Sequence, residues 1–244
     1  MNTSRKVAIV TGGTKGIGRQ IVIELLQRGY FVYTNYAHDK YAALQAEEIF
    51  SGICDNFKII WADQSEQQEF DKFITTVNKD ESSVSCIICN TGVTLRKSIM
   101  GMSNSDWERV MQVNVNSHFF LVRDLFPLIE PDSRIVFISS VLANYPHATS
   151  LAYGVAKSAI VGLAKNLVKF FEGTGTTVNA ILAGFTATEW QVDKTQAIKD
   201  SICEKIAHHR FARPEEIAQA CMFCLDNAFV NGEGIEISGG YCFK

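Results

Sequence analysis

The sequence predicts an α/β protein with a doubly wound, parallel β-sheet of about seven strands and helices on both faces. Short apolar, β-branched runs recur along the chain and alternate with segments in which apolar residues have helical spacing. The chain has 244 residues, of which 47% are hydrophobic, and this is enough for one large core. No linker, low-complexity run or internal repeat interrupts the series, so we expect a single domain over residues 1–244.

The apolar runs place the strands in order along the chain. The candidate strands are Lys6–Val10, Phe31–Asn35, Phe57–Ala62, Ser85–Cys89, Arg134–Ser139, Thr177–Leu182 and Ile235–Ile237.

A glycine-rich turn follows the first strand directly. It runs from Gly12 to Gly18, and apolar residues at helical spacing follow from Ile21 to Leu26. Glycines let the backbone turn tightly and approach a pyrophosphate, while the first turn of a helix offers unpaired N–H groups to phosphate oxygens. This junction predicts a dinucleotide site in a Rossmann fold.

Tyr153 and Lys157 are four residues apart and therefore share one helix face. An ammonium beside a phenol favours the phenolate, so we expect Lys157 to lower the pKa of Tyr153 from about 10 toward neutrality, where it can act in acid–base catalysis. The pair alone is weak evidence, because such pairs also occur on solvated helices.

Further motifs, in a fixed order along the chain, support a catalytic interpretation of the Tyr153–Lys157 pair. They are Gly12-x-x-x-Gly16-x-Gly18, Asn90-Thr-Gly92, Asn114, and Ser140 thirteen residues before Tyr153. In these motifs, and over essentially its whole length, the chain resembles the short-chain dehydrogenases/reductases. The segments Arg210–Ile217 and Asn231–Gly240 are most similar to those of bacterial 3-oxoacyl-acyl-carrier-protein reductases.

The resemblance implies a catalytic tetrad of Asn114, Ser140, Tyr153 and Lys157. Tyr153 would donate a proton to a substrate carbonyl, Ser140 would stabilise the developing alkoxide, and Lys157 would hold the nicotinamide ribose. Asn114 would anchor a water that passes protons to solvent. The expected reaction is NADPH-dependent reduction of a ketone to a secondary alcohol, with a 3-oxoacyl thioester linked to acyl-carrier protein or CoA as substrate, in fatty-acid or polyketide-type synthesis.

NADPH is favoured over NADH by the end of the second strand. That strand ends Thr34-Asn35-Tyr36-Ala37 without the acid that binds a ribose 2′-hydroxyl in NAD enzymes, and Lys15 can meet a 2′-phosphate. NADH stays open as the alternative cofactor because of Asp39. In another register of the turn, Asp39 would supply the acid that binds the ribose 2′-hydroxyl. The expected cofactor-binding residues are Gly12, Thr14, Lys15, Gly16, Ile17, Gly18, Asn35, Tyr36, Asp63, Gln64, Asn90, Gly92, Tyr153, Lys157, Gly184, Thr186 and Thr188.

The resemblance divides the domain into a mainly cofactor-binding half, residues 1–100, and a catalytic and substrate half, residues 101–244. A lid is expected at about 186–208. The expected substrate pocket consists of Thr94, Val141, Leu142, Tyr145, His147, Ser150, Phe185 and Trp190.

Several positions depart from the reductase pattern. The proline after the sixth strand is replaced by Ala183, and Thr94-Leu95-Arg96 stands where a Thr-Arg-Asp tripeptide is usual. The basic residues that dock an acidic carrier correspond to Pro131 and Thr174. Lys165 and Lys169 either compensate for these missing basic residues or are ordinary solvated lysines.

Composition excludes other classes of function. A net charge of −3 without a basic stripe argues against nucleic-acid binding, and no apolar run is long enough for a membrane span, so we expect a cytoplasmic protein. Seven cysteines without a secretory leader argue against a disulfide framework. Cys86-x-x-Cys89 and Cys221-x-x-Cys224 are expected to pack in the core, and no metal is predicted. A surface position is expected for His208-His209.

Two alternatives stay open. Within the enzyme class the substrate could be a sugar, polyol or steroid. A catalytically silent cofactor-binding sensor or structural subunit is disfavoured by the intact tetrad. The resemblance also implies a homotetramer, with Trp107–Phe126 and Leu151–Phe171 at one interface and the last strand at another.

Overall fold

The computed structural model describes residues 5–241 and 243, so both predicted domain limits lie outside the described residues. One seven-stranded parallel sheet has the order β3-β2-β1-β4-β5-β6-β7, which confirms the predicted fold class. The strands are β1 Val7–Val10, β2 Phe31–Tyr36, β3 Phe57–Trp61, β4 Val84–Cys89, β5 Ile129–Ser140, β6 Thr177–Ala183 and β7 Gly234–Ile237.

All seven predicted strands are present. The largest difference is at β5, which begins five residues before the predicted Arg134 because Ile129 pairs with Val84 across an irregularity in the ladder.

Helices cover both faces of the sheet. Their bounds are α1 Gly16–Gln27, α2 Lys40–Ser51, α3 Gln67–Asp80, α4 Asn104–Met111, α5 Ser117–Leu125, α6 Leu151–Leu167, α7 Gln196–Cys203 and α8 Pro214–Asp226. A π-helical turn, Gln112–Asn116, joins α4 to α5, and short 3₁₀ turns occur at Val141–Ala143 and Glu189–Gln191.

The core has two layers because side chains alternate across each buried strand. In β1, Val7 and Ile9 pack with α3, α5 and α6, whereas Ala8 and Val10 pack with α1, α2 and α8. The near-continuous apolar character of the strands is therefore explained by burial on both faces.

Strand order reverses between β1 and β4. From β1 the chain proceeds outward to β2 and β3, then returns to β4 and continues to the opposite edge. In open α/β sheets, ligands bind in the crevice that such a reversal opens at the carboxyl ends of the strands. Within the described part of the chain, no helix combines the length and apolarity needed to cross a membrane.

Candidate active site

A cavity of about 880 Å³ lies at the carboxyl edge of the sheet. It brings together the glycine turn, the ends of β2 to β6, α6 and the segment that follows β6. All the predicted cofactor-binding residues line it, as do Ser140 and six of the eight predicted pocket residues: Thr94, Val141, Leu142, Ser150, Phe185 and Trp190. Asn114, Tyr145 and His147 are not among the lining residues.

The glycine turn forms a cradle that fits a dinucleotide pyrophosphate. Gly12 has a φ of +63°, a conformation that favours glycine. At Gly18 a Cβ atom would collide with the carbonyl oxygen of Gly12. Both positions therefore require glycine, and the turn leads into the beginning of α1, where unpaired N–H groups can bind phosphate oxygens.

Two predicted cofactor residues hold this cradle in place. The Asn35 Oδ1 accepts a hydrogen bond from Gly12 N (3.0 Å), and its Nδ2 donates to the Ala62 carbonyl (2.8 Å). Asn90 Nδ2 donates to the Thr11 carbonyl at 2.9 Å. Both side chains are engaged with backbone groups, so their direct role is to position the glycine turn.

Lys157 and Tyr153 are both buried on α6, as the four-residue spacing predicts. Lys157 is 2% exposed, and its Nζ donates to the Ile138 carbonyl at 2.8 Å. In return, Ser139 Oγ donates to the Lys157 carbonyl at 2.8 Å. These two bonds join α6 to the end of β5, where the following residue is Ser140.

The expected lowering of the Tyr153 pKa is wrong for this structure. Burial raises the pKa of Tyr153 to about 12, and a hydrogen bond with Ser140 only partly opposes this. The Lys157 Nζ lies 5.6 Å from the centre of the Tyr153 ring, with its hydrogen bond directed to Ile138 instead. Burial lowers the pKa of Lys157 itself to about 8. Desolvation therefore dominates at both groups.

The side chain of Asn114 is bonded to backbone groups within the fold. It lies in the π-helical turn, is fully buried, and donates through Nδ2 to the carbonyls of Val93 (2.9 Å) and Val110 (2.8 Å). Its Oδ1 accepts from Val93 N at 3.3 Å. The side chain therefore holds the segment after β4 against the α4–α5 junction, and the expected contact of Asn114 with a water stays a prediction.

Two residues of the predicted pocket are not among those that line the cavity. Tyr145 packs against Tyr241 with ring centres 5.8 Å apart, and His147 is exposed. Trp190, by contrast, meets the Tyr153 ring edge-on at 6.1 Å.

The adenosine end of the cavity contains an acid that the sequence left in doubt. Asp39 Oδ2 lies 3.2 Å from Lys15 Nζ, and Asp39 Oδ1 caps α2 by accepting from Ala42 N at 2.9 Å. The backbone bond to Ala42 and then Lys15 lower the pKa of Asp39. An aspartate three residues before a helical N–H is a capping signal that could have placed it.

His118 was missed by the sequence analysis, because nothing in its local pattern marks it. The residue is fully buried, close enough to Lys157 for positive charges to repel, and burial lowers its pKa to about 3. Neither ring nitrogen has a hydrogen bond of good geometry, and Thr91 Oγ1 and Gln64 Oε1 are likewise buried without one. His118 is therefore neutral at physiological pH.

The described residues contain no group of three or more side chains suited to hold a metal. Cys86, Cys89, Cys221 and Cys224 are buried, and burial raises the pKa of the Cys224 thiol to about 11. This agrees with packing as the role of the two cysteine pairs.

The buried charge of Lys157 predicts a pH-dependent stability. Its pKa falls from 10.5 to about 8 on folding, so the charged form destabilises the native state below pH 8. That penalty is lost as pH rises from about 8 toward 10.5, which should raise the free energy of unfolding by up to about 3 kcal/mol. When the free energy of unfolding is measured in urea at several pH values in this range, it should rise more steeply with pH for the wild type than for Lys157→Met. Lys165→Met, at an exposed position on the same helix, should keep the wild-type slope, and equal slopes in all three proteins would contradict the assignment.

Comparison with known proteins gives consistent matches over nearly the whole chain. A family model described as enoyl-(acyl carrier protein) reductase matches residues 12–242. The chain is 30% identical over 239 residues to the 3-oxoacyl-(acyl-carrier-protein) reductase FabG of Aquifex aeolicus, which covers 96% of each chain. It is 28% identical to the enzyme of the same name from Staphylococcus epidermidis, covering 96% of this chain and 98% of the relative.

Solved structures agree with this result. A short-chain dehydrogenase/reductase from Serratia marcescens superimposes with a TM-score of 0.91 at 26% identity, covering 97% of this chain and 98% of the other. The RhlG/NADP active-site complex of Pseudomonas aeruginosa gives a TM-score of 0.88 at 26% identity, covering 97% and 96%.

Proposed function

Because the chain belongs to the short-chain dehydrogenase/reductase family, we propose that it reduces a ketone to a secondary alcohol with NADPH, and that the substrate is a 3-oxoacyl thioester. The observation that carries this proposal is one cavity lined both by the glycine turn and by Ser140, Tyr153 and Lys157. A proton donor beside a dinucleotide cradle is the arrangement that carbonyl reduction requires.

NADPH, when bound, supplies the hydride. The backbone from Gly12 to Gly18 would hold its pyrophosphate, and the Lys157 ammonium would bind its ribose hydroxyls. Lys15 is the cation available to a 2′-phosphate, although Asp39 beside it opposes a second negative charge. The similar RhlG structure was solved as an NADP complex, and this supports the choice of cofactor.

Tyr153 acts as the general acid. With a pKa of about 12 it is fully protonated at neutral pH and donates its phenolic proton to the substrate oxygen as negative charge develops there. Ser140, hydrogen-bonded to Tyr153, stabilises the same oxygen. Lys157, with a pKa of about 8, is mainly cationic at neutral pH and would bind the nicotinamide ribose hydroxyls. In the reverse direction the same residue would have to lose its proton before it could accept one from an alcohol.

The thioester substrate is supported by the similarity to 3-oxoacyl-(acyl-carrier-protein) reductases and by apolar lining from Val141, Leu142, Phe185 and Trp190. A sugar or polyol would leave hydroxyl groups against these side chains, so this lining disfavours both. A steroid remains the runner-up. The reducible acyl group could be carried by CoA or by an acyl-carrier protein in the cytoplasm.

The role of Tyr153 predicts a separation of catalysis from binding. Tyr153→Phe should lower kcat by at least ~10²-fold with a 3-oxoacyl thioester, because it removes only the acidic hydroxyl, and leave the Kd of NADPH nearly unchanged. Lys157→Ala should impair both quantities. Steady-state kinetics and NADPH fluorescence titration of both variants provide the test. Retention of more than about a tenth of wild-type kcat by Tyr153→Phe would refute the general-acid role.

Cofactor preference is predicted to depend on Lys15. Lys15→Ala should raise the KM for NADPH and leave that for NADH nearly unchanged, because only the former has a 2′-phosphate to lose the contact. Lys40→Ala, at an exposed position one residue beyond Asp39, is the matched control and should change neither KM. Faster turnover with NADH than with NADPH in the wild type would contradict the cofactor assignment.

The proposed homotetramer is supported by exposed aromatic side chains on the helices expected to form an interface. Trp107, Phe119, Phe126 and Phe170 are 37%, 40%, 43% and 68% exposed. Light scattering at micromolar concentration should give the mass of four chains, and Phe119→Glu should reduce it. Tyr41→Glu, on α2 and 72% exposed, should leave the mass unchanged. An active wild-type monomer would contradict the assembly.

A further inference from the structure

Two basic side chains, Arg96 and Lys194, line the cavity, and a third, Lys199, lies near Lys194. Arg96 belongs to the segment that follows β4, Lys194 lies between the 3₁₀ turn at Glu189–Gln191 and α7, and Lys199 is on α7. Arg96 and Lys194 line the cavity itself. The three residues are close enough for the positive charges of Arg96 and Lys199 to lower the pKa of Lys194, in addition to its partial burial.

This concentration of positive charge is not neutralised by salt bridges. In the described part of the chain, none of the three residues has a carboxylate within 4.0 Å. Lys194 donates instead to the Gln191 Oε1 (2.6 Å) and the Trp190 carbonyl (3.3 Å). A half-buried lysine beside two other cations is destabilising unless an anion binds there.

The acids that line this end of the cavity do not remove the imbalance. Asp106 is bonded to Lys97 at 2.7 Å and to the beginning of α4. Glu189 is directed toward Gly16, at the cofactor end. Asp193 raises the pKa of Lys194, but less than Arg96 and Lys199 lower it.

The cluster is linked to the reacting centre without being part of it. Lys194 is bonded to the carbonyl of Trp190, whose ring meets Tyr153 edge-on. An anion held by Lys194 therefore belongs to a part of the ligand beyond the reducible carbonyl. Arg109, on α4, adds a further cation to the lining.

We propose that Arg96, Lys194 and Lys199 bind the phosphate of the pantetheine arm of a thioester substrate, an inference that rests on the proposed function. Guanidinium and ammonium groups are the usual donors to phosphate oxygens. Both CoA and a carrier-protein arm contain this phosphate. The site also accounts for the uncharged Pro131 and Thr174, because the anionic substrate is held at the cavity mouth instead.

Binding tests the site independently of turnover. Isothermal titration calorimetry should show tighter binding of 4′-phosphopantetheine than of pantetheine to the wild-type protein. The double variant Arg96→Ala/Lys194→Ala should abolish this difference. Lys205→Ala is the matched control, because Lys205 is an exposed lysine just beyond α7 that does not line the cavity, and it should keep the difference. Equal affinities for the two compounds in the wild type would overturn the proposal.

Kinetics with four forms of the same 3-oxoacyl group identify the source of the phosphate. In the double variant, the KM for the CoA, carrier-protein and phosphopantetheine thioesters should rise about tenfold relative to that for the neutral N-acetylcysteamine thioester, the loss expected for charge-assisted hydrogen bonds. A rise confined to the CoA thioester would assign the cations to the nucleotide phosphates and overturn the proposal. Failure of the wild type to reduce any thioester refutes the proposed function, whereas calorimetry alone still decides whether the phosphate site exists.

Discussion

The ammonium group of Lys157, held inside the protein by the carbonyl of Ile138, is the interaction on which the site depends. A buried ammonium is costly, and it is tolerated here because its donors find a backbone oxygen. The reciprocal bond from Ser139 to the Lys157 carbonyl fixes α6 against β5. The same pair of bonds therefore sets the position of Ser140, at the end of the strand, relative to Tyr153, one turn earlier on the helix.

Desolvation, and not attraction between the two side chains, controls the protonation of the pair. Burial raises the pKa of Tyr153 and lowers that of Lys157, so each group is driven toward its neutral form. At neutral pH the phenol remains a proton donor beside a lysine that is still mainly charged. In this state the site holds the proton that reduction of a carbonyl consumes.

The strands and the glycine turn were predictable because their signals are local. Alternation of apolar runs with helical spacing located all seven strands, and positive-φ glycine at Gly12 follows from the turn. The tetrad was predicted from the family resemblance that its motifs carry in their order along the chain. By contrast, the packing of Tyr145 against Tyr241 joins residues that are distant in sequence, and the burial that sets the Tyr153 pKa is a property of the assembled fold. The clamp made by Asn114 depends on a π-helical turn that no spacing rule indicated.

The two ends of the cavity differ in whether their basic side chains are paired with a carboxylate. Lys15 is paired with Asp39 at the adenosine end, whereas Arg96, Lys194 and Lys199 repel one another at the substrate end. A cation kept without a carboxylate partner gains most when an anionic ligand arrives. The proposed substrate and cofactor, which together carry negative charge at both ends of the cavity, are consistent with this arrangement.

Titration of the two buried groups by NMR distinguishes control by desolvation from control by mutual attraction. The ¹³Cζ shift of Tyr153 and the ¹⁵Nζ shift of Lys157 can be assigned with Tyr153→Phe and Lys157→Met and followed against pH in the ligand-free protein. Desolvation predicts that Tyr153 titrates near pH 12 and Lys157 near pH 8. A Tyr153 titration below its ordinary value of about 10, with Lys157 still charged, would contradict it.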